Sequence, residues 1–598
     1  MAVPRSPGDG IDRYGNGIRL GPGKIMHYPP TDRPQRRLYR FHGGLHLPDN
    51  KSQSTARPVE SAALPKRLIL PLQQHIGEAA QPLVAVGDQV HKGQMIAAPH
   101  GAVSAPIHAS SSGRVVEIGD FPIPHVSGLA APCIVIETDG RDQWDPGLPE
   151  PIIDLTALDP EELRQRIHNA GIVGLGGAAF PTSVKLRPGP RHRIHTLIIN
   201  GAECEPYISC DDMLMQKQAS RVIAGVSILR HLLGAEKCLV GIEDNKSRAI
   251  AAMTRAVADY EQHRMQIVTI PTLYPSGGEK QLIRVLTGEE VPSGAIPAHI
   301  GIVCHNVGTA AAVADAILEG KPLISRYVTV TGEGVAEPRN LEVLIGTPAC
   351  ELIGQAGGYT KAISRLILGG PMMGFTLQDD RAPVTKATNC LLAASVTEAP
   401  PAAPATACIR CGDCAAVCPA SLLPQQLYWY SRAKDLEKAQ EYHLFDCIEC
   451  GCCSYVCPAQ IPLVQYYRYA KNESWAQERD KKKAERARQR HQAREQRLAR
   501  IEAEKKARLK KKKDALAKKP AAGKGSAEDP KKAAIEAAMK RAAEKKAKLA
   551  SAGNLPGNTG NLTADQQRKI NQADARRKEA SPGGNPEGEG QTTESQDR

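Results

Sequence analysis

The sequence predicts a multidomain chain of α/β and α+β modules, and three observations predict it. A four-cysteine pattern closed by proline occurs twice between 408 and 458, and strand-like and helix-like runs alternate between about 154 and 320. After about 470 the composition breaks into Ala, Lys, Arg and Glu. At 598 residues the length suggests about four domains. Of 16 cysteines, nine lie in the double pattern and the others are scattered, which suits a reducing compartment.

Residues 1–40, rich in Gly, Pro and Arg, predict an irregular segment. Over 41–150 short β-like runs follow: Arg67–Pro71, Leu83–Val86, Met95–Ala97 and Gly113–Ile118, spaced by turn residues such as Gly87-Asp88 and Lys92-Gly93. The stretch resembles a barrel-sandwich hybrid of the lipoyl and biotinyl carrier type. A carrier needs a lysine at its hairpin tip, and this hairpin, Pro99–Pro106, has none, so a structural role is expected.

Over 151–320 the alternation predicts a doubly wound parallel sheet. Its first helix begins with Asp159 as N-cap, Pro160 at the first position and Glu161 and Glu162 in the first turn, and stops at Gly171. Strands are expected at Thr196–Ile199, Cys238–Gly241, Gln266–Ile270 and Gly301–Cys304. Residues 321–397 return to β runs around a helix near 348–356 and predict a small β-grasp module of the SLBB type. A Pro- and Ala-rich linker then opens 398–470.

That segment carries Cys408-x-x-Cys411-x-x-Cys414-x-x-x-Cys418-Pro419, repeated thirty-nine residues on as Cys447, Cys450, Cys453, Cys457 and Pro458. In a two-cluster ferredoxin-like domain three closely spaced thiolates hold one cubane and the fourth reaches the other. The expected ligand sets are Cys408, Cys411, Cys414 and Cys457, and Cys447, Cys450, Cys453 and Cys418, giving two [4Fe–4S] clusters. Zinc on CxxC pairs would need two pairs with a long spacer. Cys452 is expected to be a non-ligating thiol.

Four segments of the alternating domain fall in loops after strands or at helix starts, where such sheets bind ligands: Gly174–Lys185, Asn200–Pro206, Tyr274–Lys280 and His305–Thr309. Together they resemble the flavin- and NADH-binding subunit of respiratory complex I, whose pattern runs GRGGAGFPTGxKW, NADEGEP, YxCGEETAL and NNVET. The resemblance implies that Gly174, Gly176, Gly177 and Lys185 hold the FMN phosphate. It implies further that Asn200, Glu203, Tyr274, Gly277, Asn306 and Thr309 surround the flavin, with Glu205 and Glu279 near the nucleotide. Leu175, Ala202, Gly278 and Gly308 replace an arginine and three acids of that pattern. Hydride transfer to flavin needs positioning, so no catalytic acid or base is expected.

The order of modules resembles the C subunit of the Rnf ion-translocating electron-transport complexes. That resemblance implies a translocase-type oxidoreductase subunit, peripheral on the cytoplasmic side of the inner membrane. It would pass electrons between NADH and the Rnf-type subunits A, B, D, E and G through FMN and two clusters. Two other readings are a diaphorase subunit of a soluble hydrogenase or formate dehydrogenase, and a non-enzymatic electron-transfer scaffold with a relic flavin domain.

The net charge of +13 belongs to the tail, 471–598. Residues 481–550 hold 26 Lys+Arg against 9 Asp+Glu, leaving the remainder slightly negative. No basic face for nucleic acid is expected on the folded body. The tail itself should be disordered or a solvated helix, since it offers few large apolar side chains. No basic-then-apolar leader opens the sequence and no apolar run approaches a bilayer span, so membrane association is expected through the complex, with electrostatic attachment of the basic tail to anionic lipid or an acidic partner as a further reading.

Overall fold

The structure, a computed structural model, describes residues 37–517 apart from 153, 156–157, 190–191 and 259–263, together with 536–541 and 543–544. The expected irregular segment before 37 and most of the tail beyond 517 lie outside the described residues.

Two small antiparallel sheets form the N-terminal barrel-sandwich module. One orders Arg67–Pro71, Ala130–Thr138, Gly113–Pro122 and Gln89–Val90, and the other Gln81–Pro82, Met95–Ala98 and Ile107–His108. Period-two alternation packs it: Leu68 pairs with Ile136 and Leu70 with Ile134, and all four side chains are fully buried. The expected strand Leu83–Val86 is not formed. Leu83 donates to the Ile96 carbonyl, but the Asp88 carboxylate then accepts from the Ala85 amide and turns the chain, leaving Leu83 and Val86 exposed.

Residues 41–62, assigned by sequence to this module, reach outside its two sheets. Leu45 bridges to Tyr274, and Glu60–Ser61 adds a parallel edge strand to Arg339–Leu344. That edge belongs to a six-stranded sheet with Ser325–Thr331, Cys390–Ser395, Ile363–Leu368 and Phe375–Thr376, covered by the helix Ala349–Gln355. Lys386, fully buried, ties the modules together by donating to the carbonyls of Pro106 and Gly171, both at 2.7 Å.

The alternating domain is a four-stranded parallel sheet ordered Met265–Ile270, Lys237–Glu243, Thr196–Gly201, Ile302–Asn306. The first helix, Pro160–Asn169, is capped as expected, with the Asp159 carboxylate accepting from the Glu161 amide at 3.0 Å. The helices Ala219–Leu233 and Val307–Leu318 touch backbone to backbone at Gly225, where a Cβ would lie 1.7 Å from the Ala310 carbonyl oxygen. Because the chain moves outward from Thr196–Gly201 and then returns to its other side with Ile302–Asn306, the order reverses between these two strands. Loops leaving their carboxyl ends flank a crevice, the place where open α/β sheets bind ligands.

The cysteine domain repeats its backbone as well as its sequence. Left-handed residues recur at matched positions: Arg410 and Glu449 at φ 58° and 59°, Gly412 and Gly451 at 92° and 83°, Ser421 and Gln460 both at 53°. Each glycine opens a one-turn helix, Asp413–Ala416 or Cys452–Tyr455. The last described long element is the helix Leu463–Ala517. Its first three turns pack in the cysteine domain through Val464, Tyr467 and Ala470, whereas 477–515 are exposed and carry spaced ion pairs such as Glu502–Lys506 at 2.9 Å.

Candidate electron-transfer site

The eight cysteines fall into two sets of four. Cys408, Cys411, Cys414 and Cys457 line one small cavity with Tyr428, Ile461 and Leu463. Cys418, Cys447, Cys450 and Cys453 line another with Leu427, Val464 and Tyr467. Each set draws one sulfur from the opposite repeat. Four thiols in an apolar cradle, with donors such as the Leu422 amide 3.4 Å from Cys418 Sγ, fit a cubane. Burial pushes the Cys447 thiol up to about 11, so iron held here would have to supply the stabilisation that deprotonates it. The sets differ in depth: Cys411 is exposed, whereas Cys450 and Cys453 are buried. Cys452, fully buried, packs beside Cys450 and Tyr274.

At the crevice the structure brings together residues from all four motif loops. Gly176 lies against Asn306, a Cβ there meeting the Asn306 side chain at 3.4 Å. The Leu175 amide donates to Thr309 Oγ1 at 2.9 Å. Asn306 caps the helix Val307–Leu318 by accepting from the Gly308 amide at 2.8 Å and donates to Asp211 at 2.6 Å. Asn200 Nδ2 donates to the Gly277 carbonyl at 2.8 Å, and the Gly277 amide donates to Cys204 Sγ at 3.2 Å. Gly177, at φ 106°, faces open space, and Gly174 closes the loop by donating to the Phe180 carbonyl at 2.8 Å. The open space beside Gly177 suits the approach of a phosphate or ring edge at the end of such a sheet.

Four side chains are engaged by partners within the protein. Lys185 donates to Glu279 at 2.6 Å and to the Cys304 carbonyl at 3.0 Å. Burial works most strongly against its charge, but Glu279 and Cys304 together outweigh it and the pKa is raised. Tyr274 turns its hydroxyl onto the Cys450 carbonyl at 2.6 Å, toward the cysteine domain. Glu205 accepts from the amides of Met372 and Met373 at 2.7 and 3.1 Å, so it caps the 370–374 loop of the β-grasp module, and burial raises its pKa. Glu203 accepts from the amides of Asp211 and Asp212 at 2.6 and 3.1 Å, and burial pushes it up to about 8.

Two of the four replaced motif residues lie in contact: a Cβ on Gly308 would sit 3.5 Å from Leu175. An arginine and an acid are thus absent from one contact. Sequence reasoning missed three contributors. Asp211 partners Asn306, buried Arg326 donates to the Leu175 carbonyl at 3.1 Å, and Lys51 reaches the 203–208 loop from outside the domain. None sits in a recognisable motif, and each acts on backbone or on another side chain.

A flavin-type crevice joined to two thiolate cradles defines an iron–sulfur flavoprotein of electron transfer. Family models agree module by module: the RnfC barrel sandwich hybrid domain over 39–141, the Nuo51 FMN-binding domain over 167–315, the SLBB domain over 327–376 and the 4Fe-4S dicluster domain over 407–461. Among relatives named as the C subunit of an ion-translocating oxidoreductase complex, that of Pseudomonas aeruginosa is 52% identical over 78% of this chain and 59% of its own. That of Serratia proteamaculans is 45% identical over 91% and 76%, and that of Yersinia pestis 47% over 79% and 75%. The chain belongs to this family of C subunits, and spans about three fifths of the Pseudomonas relative's length. An NAD+-reducing [NiFe]-hydrogenase chain aligns at TM-score 0.37 and 21% identity over 50% of this chain and 59% of its own, too low to decide between readings.

Proposed function

We propose that this chain is a peripheral subunit on the cytoplasmic face of a membrane-bound ion-translocating complex. It passes electrons between NADH and Rnf-type subunits A, B, D, E and G. FMN, when bound, exchanges a hydride with nicotinamide and single electrons with iron–sulfur clusters. Gly174, Gly176 and Gly177 would admit it to the crevice, Asn200, Asn306 and Thr309 would hold the loops around it, and Lys185 would meet its phosphate. The buried set Cys418, Cys447, Cys450 and Cys453 is the nearer cluster site, and the set containing exposed Cys411 faces outward toward a partner.

One contact carries this order. Tyr274, on a motif loop of the flavin domain, hydrogen-bonds the carbonyl of Cys450, and Cys204, Tyr274, Cys450 and Cys452 share one apolar cluster. Tyr274→Phe should therefore leave flavin and iron content unchanged and slow NADH-driven cluster reduction several-fold, since a buried carbonyl loses its donor at a cost of about 1–3 kcal/mol. Stopped-flow absorbance checks this, and a parent-like rate removes the path.

Anaerobic purification of the full chain with flavin analysis and an NADH-reduction spectrum tests the proposal as a whole. A colourless, NADH-inert flavin domain would select the scaffold reading.

Among the described residues no helix is long and apolar enough to cross a membrane; attachment is assigned here to partners and to the basic tail. Each basic residue near an anionic surface contributes about 1 kcal/mol. Because Ser474 is buried and the Trp475 ring lies 5.7 Å from that of Phe445, a clean truncation falls after Asp480. It should leave NADH oxidation by the isolated subunit unchanged and make retention on anionic membranes less sensitive to salt. An unchanged salt dependence in a sedimentation assay makes the tail a passive extension.

A further inference from the structure

Lys51 precedes the short helix Ser52–Thr55, after a turn at Asn50 with φ 50°. It is only 7% exposed, and its ammonium donates to the carbonyls of Glu203 at 2.8 Å, Glu205 at 3.0 Å and Ile208. An ammonium has three N–H donors and no acceptor, so all three are satisfied, and all by neutral carbonyls. Three carbonyl dipoles turned toward one point repel each other unless a positive charge sits there. The loop is otherwise awkward: Glu203 and Tyr207 are non-glycine residues at φ 48° and 69°. A second tie from the same segment, the Tyr207 amide to the Asp49 carbonyl at 2.7 Å, holds its far end.

With its carbonyls gathered on Lys51, the loop splays its two carboxylates. Glu203 receives the amides that open the helix Cys210–Lys217, whose Asp211 holds Asn306 at the crevice. Glu205 receives the amides of Met372 and Met373, and the Met372 carbonyl lies 2.9 Å from where a Cβ on Gly451 would be, beside the Cys450 cradle.

We propose that Lys51 is a positioning residue of the flavin site: its ammonium clamps the 203–208 loop and places a positive charge within it. This rests on the reading of that crevice as the flavin site. A buried positive charge favours the electron-rich state of a neighbouring group, so Lys51, which also acts on the nearby carboxyls of Glu203, Glu205 and Asp211, should raise the potential of a flavin held there.

The test uses the full chain, purified anaerobically and titrated with FMN. Lys51→Met should weaken FMN binding about tenfold or more, lower the bound flavin's midpoint potential, and speed amide exchange over 203–208, with both cluster signals intact. Lys51→Arg keeps the charge but spreads its donors in a plane, so it should keep the potential while the loop still exchanges faster. Parent-like affinity, potential and exchange in Lys51→Met overturn the proposal. If Lys51→Met does not fold, parent-like loop exchange in Lys51→Arg overturns the clamp. If the parent binds no FMN, the flavin reading fails on its own account, and exchange over 203–208 decides the clamp alone.

Discussion

Cys457→Ala should abolish or convert the cluster of Cys408, Cys411 and Cys414 while the cluster of Cys447, Cys450 and Cys453 survives. The mutated cysteine belongs to the second repeat by sequence, so a reading by repeat predicts the opposite loss. Geometry decides: Cys457 lines the first cavity and Cys418 the second. The mirror substitution Cys418→Ala should therefore spare the first cluster and damage the second. Each cradle is walled by apolar side chains and has no fifth thiol facing it except Cys452 in the second, so only the second site has a substitute ligand at hand. Cys418→Ala should then be the milder of the two, and Cys418→Ala with Cys452→Ala should be as severe as Cys457→Ala. Low-temperature paramagnetic resonance with iron analysis on each variant reads the outcome. Loss of the Cys447 set in Cys457→Ala would overturn the cross-ligation.

The elements that were legible in the sequence are those specified by local chemistry. The helix at Pro160 has its cap, its proline and its glycine stop close together, and three of the four parallel strands are buried on both faces and read as apolar runs, the edge strand Met265–Ile270 being half-exposed. The cysteine repeats were legible because their spacing is the signal. What stayed hidden depends on distant contacts. Nothing near Glu60–Ser61 marks it as an edge strand of a sheet built mostly after 325, and Leu83–Val86 had strand composition but met a turn closed by the Asp88 carboxylate on the Ala85 amide. The same division runs through the site. The motif loops announced themselves by glycine and acid spacing, yet the spacing could not say that Tyr274 turns toward Cys450 or that Glu205 caps Met372 and Met373. Lys51 was unreadable because a buried lysine differs from a surface one only in its surroundings.

Lys185→Ala should release flavin from the chain while both clusters stay, because the cysteine domain is stabilised by its own metal. The structure sharpens this expectation. Lys185 is paired with Glu279 at 2.6 Å, so a phosphate at this lysine meets a cation already shared with a carboxylate. Removing the lysine takes away the attraction and also leaves Glu279 uncompensated beside the phosphate, so the two losses act in the same direction. Removing the acid should act in the other: Glu279→Gln frees the ammonium and should tighten FMN binding. The pair of variants therefore separates a phosphate-binding lysine from a structural ion pair, in which either substitution weakens the site through loss of the bridge between the helices Thr182–Lys185 and Glu279–Thr287. Fluorescence titration of FMN against anaerobically purified parent and variants gives the dissociation constants. Opposite shifts place the phosphate at Lys185, parallel weakening assigns the pair to structure, and parent-like affinity in Lys185→Ala removes the lysine from the site.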